Sequence, residues 1–261
     1  MQPAIRPLGD QIKEWRRRRR LSQMDLALDA EISTRHLSFI ETGRAKPSRE
    51  MVLRLADQLD VPLRERNALL LGAGFAPVYA ERALDDPALA AARRAIDLVL
   101  KGHEPWPALA IDRHWHMVAA NAAVAPLLAG CAPHLLEGPA NVLRLSLHPE
   151  GLAPRILNLA EWRAHLLERL RRQAVTTGDA MLDALVAELE AYPFPDGAGQ
   201  LEDLGGVAIP LRLASPLGEL SFISTTTVFG TPLDVTLDEL AIEAFYPADV
   251  VTAERLRGDD L

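Results

Sequence analysis

A short stretch near the amino terminus concentrates side chains that can form hydrogen bonds. Positions 33 to 39 hold three hydroxyls, one guanidinium and one phenyl ring: Ser33, Thr34, Arg35, Ser38 and Phe39. These groups share the polar side of a predicted helix, since the apolar residues Ile32, Leu37 and Ile40 recur at the spacing of a buried face. A short helix that presents such a side suits the base edges of a DNA major groove.

Two short helices and a tight turn must position this polar side. The first helix is predicted to begin after Ser22, which forms a capping-box pattern with Asp25, and the second after Ser33. Gly43 is predicted to end the second helix. The first helix is expected to bury an apolar register comprising Met24, Leu26, Ala27 and Leu28.

Further amphipathic segments flank this pair. An apolar stripe of Leu8, Ile12 and Trp15 predicts a helix upstream, and Pro47 opens one downstream, followed by another near residues 63–71. The sequence therefore predicts an all-α domain of five helices over residues 1–75, near the lower size limit for one core.

The pattern resembles the helix-turn-helix of phage repressors and their bacterial relatives, through Gln23, Leu26-Ala27, Ile32-Ser33, Ile40-Glu41 and Gly43. The resemblance implies that Gln23 contacts phosphate, and that Thr34, Arg35 and Phe39 face base edges with Ser33 and Ser38 beside them. It also implies phosphate contacts for Arg44 and Lys46, which set register without reading sequence.

Three features in or near this motif have structural interpretations: a salt bridge, a turn residue and a basic run. The resemblance implies an internal salt bridge between Arg16 and Glu41. Glu31 stands where the motif commonly has glycine, so a positive φ there would cost on the order of 1 kcal/mol. The basic run 16–20 fits a helix end near phosphate, with a nuclear-localisation or polyphosphate patch as the alternative.

Charge is divided unevenly along the chain. Residues 1–80 hold 14 Lys and Arg against 10 Asp and Glu, a net of +4, whereas residues 81–261 hold 14 against 26, a net of −12; the two sum to −8. A locally basic region in an acidic chain is consistent with DNA binding by the first part alone.

The composition changes after residue 75, which predicts a linker at 76–88 and a second domain at 89–258. A helix is predicted from Asp86-Pro87. Beyond it, the patterns predict a hairpin with strands 108–111 and 115–119, helices 155–174 and 179–191, strands 207–213 and 219–229, and a strand or helix at 237–245. This order predicts an α+β, PAS-like domain with an antiparallel sheet covered by helices.

The whole chain resembles the MmyB-like transcription regulators. The motifs are residues 35–77, Trp115 with Asn121, residues 147–152 followed by Trp162, and residues 229–240 with 247–249. The family implies control of transcription by a small, mostly apolar ligand of fatty-acid type. Aromatic side chains that are candidates to line its pocket are Trp115, Trp162, Phe222, Phe229 and Phe245, each with plain core packing as the alternative. Candidate polar groups are Asn121, Arg144 and His148, the latter two as anchors for a carboxylate.

No pattern points to catalysis or to a cofactor. Cys131 has no neighbouring motif and no second cysteine to pair with, and His114-x-His116 lacks a third ligand at metal-site spacing, so no metal is expected. No apolar run is long enough for a membrane span and the start has no signal-peptide core, which predicts a cytoplasmic protein.

These observations predict a non-enzymatic, ligand-responsive regulator that binds an inverted repeat in double-stranded DNA as a homodimer. Two alternatives keep the DNA-binding domain but give the second domain a protein partner, as in an antitoxin, or a dimerisation role only. A third is a small-molecule enzyme with a DNA-binding appendage.

Overall fold

The structure is a computed structural model that describes residues 6–193, 209–230 and 232–258. It divides into two compact units. The first runs to Ala83 and takes in a later segment that ends at Asp238; the second comprises Leu84–Gly230 and the residues from Glu239 onward. The predicted continuous boundaries at 75 and 89 remain a prediction.

Five helices build the main part of the first unit: α1 Leu8–Arg18, α2 Gln23–Asp29, α3 Thr34–Glu41, α4 Arg49–Gln58 and α5 Leu63–Gly72. The predicted caps are present. Ser22 and Asp25 form the capping box of α2, and the Ser33 hydroxyl accepts the His36 N–H at the start of α3. Each cap satisfies a backbone N–H that the helix leaves unpaired.

The helices enclose one apolar core in which Ile12, Leu26, Leu37, Ile40 and Leu55 are almost completely buried. The prediction that Met24 and Leu28 are buried is wrong, because they are 69% and 76% exposed. Helix α2 has only seven residues, and its inner face is filled by Leu26 and Ala27 alone.

A segment distant in sequence joins the first unit. It contains the short helix α11 Val235–Asp238. The Val235 N–H donates to the carbonyl of Ala80, the Arg82 guanidinium pairs with Asp234 at 2.8 Å, and Asp238 accepts the Leu63 N–H. These contacts account for the assignment of residues 232–238 to this unit.

The second unit combines helices with a sheet. Its helices are α6 Ala90–Gly102, α7 Val124–Leu128, α8 Val142–Leu147, α9 Leu159–Thr177, α10 Ala180–Glu190 and α12 Val250–Arg257. Its strands are β1 Ala108–Ile111, β2 Met117–Ala120, β3 Leu211–Ser215, β4 Gly218–Val228 and β5 Ala241–Pro247.

The five strands form an antiparallel sheet in the order β2-β1-β5-β4-β3. The ambiguous segment 237–245 therefore contributes a strand, β5, at the sheet centre. The predicted strand 207–213 begins outside the described residues, and the observed β3 continues to Ser215. The sequence patterns do not predict helices α8 and α12.

One sheet face and three helices enclose the core of the second unit. Leu109, Ile111, Leu211, Leu213, Leu220 and Phe222 alternate with residues of the other face and pack in one cluster with side chains of α8, α9 and α10. Helix α6 packs on β1, and α12 packs on β4 and β5. The predicted fold class, a five-helix helix-turn-helix domain followed by an α+β domain with an antiparallel sheet, is confirmed.

Candidate functional site

Helix α3 places the predicted base-reading residues on an accessible surface. Ser33, Thr34 and Arg35 are exposed, and Ser38 and Phe39 are half-buried. The Arg35 guanidinium lies 5.3 Å from the centre of the Phe39 ring, a cation–π contact. These five side chains, defined as the α3 surface, are brought together by one turn-and-a-half of helix.

The backbone on either side of α3 fixes its position. Glu31, in the turn after α2, has φ of 54°, so this non-glycine residue does occupy the left-handed region as the sequence predicted. After α3, Gly43 has φ of 71°, and the next N–H, of Arg44, donates back to the carbonyl of Phe39 at 2.8 Å. The side chains of Arg44 and Lys46 follow this turn and are exposed.

A buried carboxylate ties the two motif helices to α1. Glu41 accepts Nε of Arg16 at 2.7 Å and Nη2 at 3.1 Å, and it also accepts Nε2 of Gln23 at 2.7 Å. Burial on its own raises the pKa of Glu41, but the hydrogen bonds from Arg16 and Gln23 outweigh it and hold that pKa below its ordinary value. Gln23, the predicted phosphate contact, is thus held in place by the Arg16–Glu41 pair.

Internal contacts occupy much of the basic run 16–20. Arg16 pairs with Glu41 and Arg18 with Glu14, while Arg19 donates to the carbonyls of Leu59 and Asp60. Arg18 and Arg19 also lie over the Trp15 ring. The helix-end role of the run is therefore the one that these contacts support.

The second unit contains an apolar cavity of about 90 Å³. Its walls come from the inner face of β1, β3 and β5 and from helices α7, α8 and α9, with Leu109, Leu127, Leu143, Leu166, Leu213 and Phe245 among the lining residues. Nearly all of the wall is hydrocarbon, which favours an apolar guest.

One end of the cavity is charged. Arg169 of α9 donates to both oxygens of Glu243 on β5, at 2.5 and 3.1 Å, and to the Thr226 hydroxyl at 2.8 Å. The Thr226 hydroxyl in turn donates to Glu243 at 3.0 Å. Glu243 is buried, and Arg169 is the one cation among the described residues that line the cavity.

Trp115 lines the cavity and has an unusual backbone conformation. Its φ of 68° lies in the left-handed region, which costs about 1–3 kcal/mol for such a residue. The indole N–H donates to Gln173 at 2.8 Å, and the ring lies 4.6 Å from the Arg169 guanidinium. The strain is therefore offset by contacts that hold the ring beside the charged end.

Of the sequence-predicted ligand residues, the structure brings Trp115, Trp162 and Phe245 to the cavity. Phe222 is fully buried in the surrounding core, and Phe229 follows the end of β4, away from the cavity lining. For these two aromatic residues a role in lining a ligand pocket stays a prediction.

The three predicted polar groups also lie outside the cavity lining. Asn121 is a buried link between backbones: its side chain accepts the Ala108 N–H and donates to the carbonyls of Leu100 and Trp106. Arg144 pairs with Glu188 through two bonds of 2.7 Å, and His148 packs edge-on against Tyr192. Arg144 and His148 therefore have protein partners outside this cavity, and their role as anchors for a ligand carboxylate stays a prediction.

Sequence reasoning missed Arg169 and Glu243, the charged end of the cavity. They lie 74 positions apart, and Arg169 occurs in a segment with several other charges. A signal was present in β5, because Glu243 interrupts an otherwise apolar stretch, but its partner was not identifiable along the chain.

The sequence was expected to offer no third metal ligand beside His114 and His116, but the hairpin between β1 and β2 provides one. Asp112, from the same turn, places a carboxylate oxygen within 4.8 Å of a nitrogen of each histidine. Asp179, at the start of α10, contacts His114 as well, with 2.8 Å between Oδ2 and Nε2.

An exposed polar helix after a tight turn, together with an apolar cavity in a separate α+β unit, defines a two-part regulator of the helix-turn-helix class. Comparison with family models agrees with this class: residues 7–69 match a helix-turn-helix domain, and residues 92–258 match the MmyB-like transcription regulator ligand binding domain. The second match covers more than half of the chain. The chain belongs to the MmyB-like transcription regulators.

The helix-turn-helix is a DNA-binding domain and the second domain is a ligand-binding domain. Neither matched family describes an enzyme. No curated protein matches the sequence. Among the residues that the structure describes, no helix is both long and apolar enough to cross a bilayer.

Proposed function

We propose that this chain recognises a specific inverted-repeat operator as a homodimer, and that a small, mostly apolar molecule bound in the second unit changes its affinity for DNA. The observation that carries the proposal is the presence, in one chain, of both the exposed α3 surface and the apolar cavity. The regulator acts in the cytoplasm, on the DNA of the cell.

Base reading is assigned to the α3 surface. Arg35 supplies a two-donor guanidinium, the side chain that most often reads guanine, and Thr34 supplies a hydroxyl beside it. The cation–π contact with the Phe39 ring restricts the conformations of the Arg35 side chain before DNA binds. Ser33 and Ser38 complete this surface.

Phosphate contacts are assigned to Gln23, Arg44 and Lys46. Arg44 and Lys46 are exposed, and neither forms an ion pair with any residue that the structure describes. The Gln23 side chain is oriented by its hydrogen bond to Glu41, so its position depends on the buried Arg16–Glu41 pair. Such contacts raise affinity for all sequences and make it depend on salt.

A homodimer follows from the size of this surface. One short recognition helix makes too few contacts for tight specific binding, whereas two helices one DNA turn apart double the contacts on a symmetric site. Sedimentation of the full chain with its operator tests this: we expect two chains per site, and one chain per site would contradict the homodimer.

The ligand is proposed to be a fatty-acid-like or other small apolar molecule whose entry enlarges the cavity. Pockets for drug-sized ligands have volumes of about 300–1,000 Å³, well above the 90 Å³ found. A long hydrocarbon chain therefore requires the walls to separate. That movement would involve the hairpin bearing Trp115 and the helices α8 and α9, and provides two states whose populations a ligand can shift.

The charged end limits the chemistry of the ligand head. A carboxylate that enters the cavity meets Arg169, but Glu243 already occupies that guanidinium with two bonds. A carboxylate ligand must displace Glu243, whereas a neutral hydroxyl or amide head leaves the pair intact. Head-group preference therefore reports on whether the Arg169–Glu243 pair opens.

Native mass spectrometry of the purified full chain is the first test, since a co-purified apolar molecule identifies the ligand class directly. Calorimetric titration with a saturated fatty acid, and with the alcohol of equal chain length, then compares the affinities for a carboxylate and a hydroxyl head group. The expected result is saturable binding of at least one, together with an altered operator affinity. Absence of binding by any apolar probe, with unchanged DNA affinity, would contradict the ligand part and favour a domain for dimerisation only.

A further inference from the structure

The turn between β1 and β2 gathers a second set of potential ligands, distinct from the cavity and from the DNA surface. It contains one carboxylate and two imidazoles, from Asp112, His114 and His116, whose ligand atoms all lie within 4.8 Å of one another. All three side chains are partly buried rather than freely mobile. Two imidazoles and a carboxylate in one cluster are a donor set typical of zinc and similar transition ions.

Backbone contacts orient the Asp112 carboxylate towards the histidines. Its Oδ1 accepts the backbone N–H groups of His114 and His116, each at 2.8 Å, which fixes the carboxylate plane. Its Oδ2 lies 3.0 Å from Nδ1 of His116. Ligand atoms in a tetrahedral site with metal–ligand distances of about 2.0–2.1 Å are separated by about 3.3 Å, so this pair already has nearly the required spacing.

Asp179 supplies the outer support that metal-binding histidines usually have. Its Oδ1 caps α10 by accepting the Met181 N–H, and its Oδ2 lies 2.8 Å from Nε2 of His114 and 3.6 Å from Nη1 of Arg113. The Asp179 carboxylate accepts a hydrogen bond from the Nε2–H of His114, which leaves the lone pair of that ring on Nδ1.

The local charge also favours a cation. The Arg113 guanidinium lies 3.6 Å from the carboxylates of both Asp179 and Glu239, while the Asp112 carboxylate lies against His116. Three carboxylates therefore stand against one guanidinium, an excess of negative charge that a divalent ion would reduce.

We propose that Asp112, His114 and His116 form a binding site for a divalent transition ion such as Zn²⁺, with Asp179 as the positioning residue for His114. The ion takes the place of the hydrogen bond between Asp112 and His116, and the neutral imidazole of His116 binds it through the Nδ1 lone pair with its proton on Nε2. Water completes the coordination. The site closes the β1–β2 turn directly beside Trp115, a wall of the cavity, and its existence does not depend on the identity of the apolar ligand.

Calorimetric titration of the full chain with ZnCl₂, and with CoCl₂ followed by visible absorbance, tests the site. We expect one ion per chain and no comparable binding of Mg²⁺, which prefers oxygen ligands. His116→Gln and Asp112→Asn should weaken Zn²⁺ binding by about tenfold or more, and Asp179→Asn by about 10–100-fold. Asp112→Asn keeps the side-chain carbonyl that accepts the two backbone N–H groups, so the turn is preserved.

His134→Gln is the matched control, because His134, His148 and Glu150 form the other cluster of potential ligands among the described residues. The control should bind Zn²⁺ like the unsubstituted chain. Loss of binding in His134→Gln with full binding in His116→Gln would overturn the proposal, as would a chain that binds no Zn²⁺ at all. X-ray absorption of the unsubstituted, zinc-loaded chain gives an independent check: a first shell without imidazole contradicts the site.

Discussion

The α3 surface and the cavity are built in opposite ways. The α3 surface comes from seven consecutive positions, its polar atoms face outward, and the buried residues Leu37 and Ile40 hold it from the other side of the helix. The cavity draws its wall from residues between Pro107 and Phe245, most of which also form the core of the second unit. Changes to the first can therefore alter recognition alone, whereas changes to the second alter stability and binding together.

The largest expected effect on stability concerns the buried Arg16–Glu41 pair, which holds α3 against α1. Glu41→Ala leaves the Arg16 guanidinium buried without its partner, which should destabilise the first unit by about 3–5 kcal/mol. Urea unfolding followed by the NMR signal of the Trp15 indole, the single tryptophan in that unit, measures the loss. Glu14→Ala removes two more exposed ion pairs, with Arg6 and Arg18, and should cost about 1 kcal/mol. Equal losses in the two variants would contradict the importance of the buried pair.

The next effect separates packing from binding in the cavity. Leu213→Ala and Leu170→Ala both truncate fully buried leucines of the same cluster and should each destabilise the second unit by about 2–5 kcal/mol. Only Leu213 lines the cavity. Leu213→Ala should therefore shift the preferred apolar ligand towards larger molecules, and Leu170→Ala should not. A shared shift in ligand preference, measured by calorimetric titration, would show that the cavity does not select the ligand.

The difference between the two regions also explains which parts were predictable from sequence. Caps, turn positions and the polar side of α3 depend on contacts within a few residues, so Ser22, Ser33, Glu31 and Gly43 were interpreted correctly. The Arg16–Glu41 pair, which spans 25 positions, was found only through resemblance to known repressors.

The cavity depends on sheet order and register, which bring distant segments together. The aromatic residues Trp115, Trp162 and Phe245 were found because apolar bulk is visible in the sequence, but Phe222 has the same composition signal and packs elsewhere. The polar candidates Asn121 and Arg144 lie outside the cavity lining for a related reason: each has partners that only the fold reveals.

A smaller effect tests base reading by the α3 surface. Arg35→Ala should reduce discrimination between the operator and unrelated DNA by about 1–3 kcal/mol while leaving thermal unfolding unchanged, because Arg35 is exposed. Arg44→Ala is the matched control: it should weaken binding to all sequences and reduce the slope of log K against log salt by about one. Fluorescence anisotropy with both DNAs at several salt concentrations measures both quantities. Unchanged discrimination in Arg35→Ala would remove that residue from base reading.

Mild acidification should reveal the smallest effect, from the same buried carboxylate that aims Gln23. The pKa of Glu41 in the folded chain is below its ordinary value near 4.5, so its contribution to stability is complete above that value and is lost as the pH falls through the folded pKa. Glu14, Asp25 and Glu50 also have lowered pKa values, so the first unit should lose stability in acid even without Glu41. The difference in unfolding free energy between the unsubstituted chain and Glu41→Gln isolates the buried group: it should be constant between pH 7 and about pH 5 and should shrink below about pH 4.5, by up to about 1.4 kcal/mol per pH unit. A difference that stays constant down to pH 3 would show that Arg16 and Gln23 do not stabilise the ionised form.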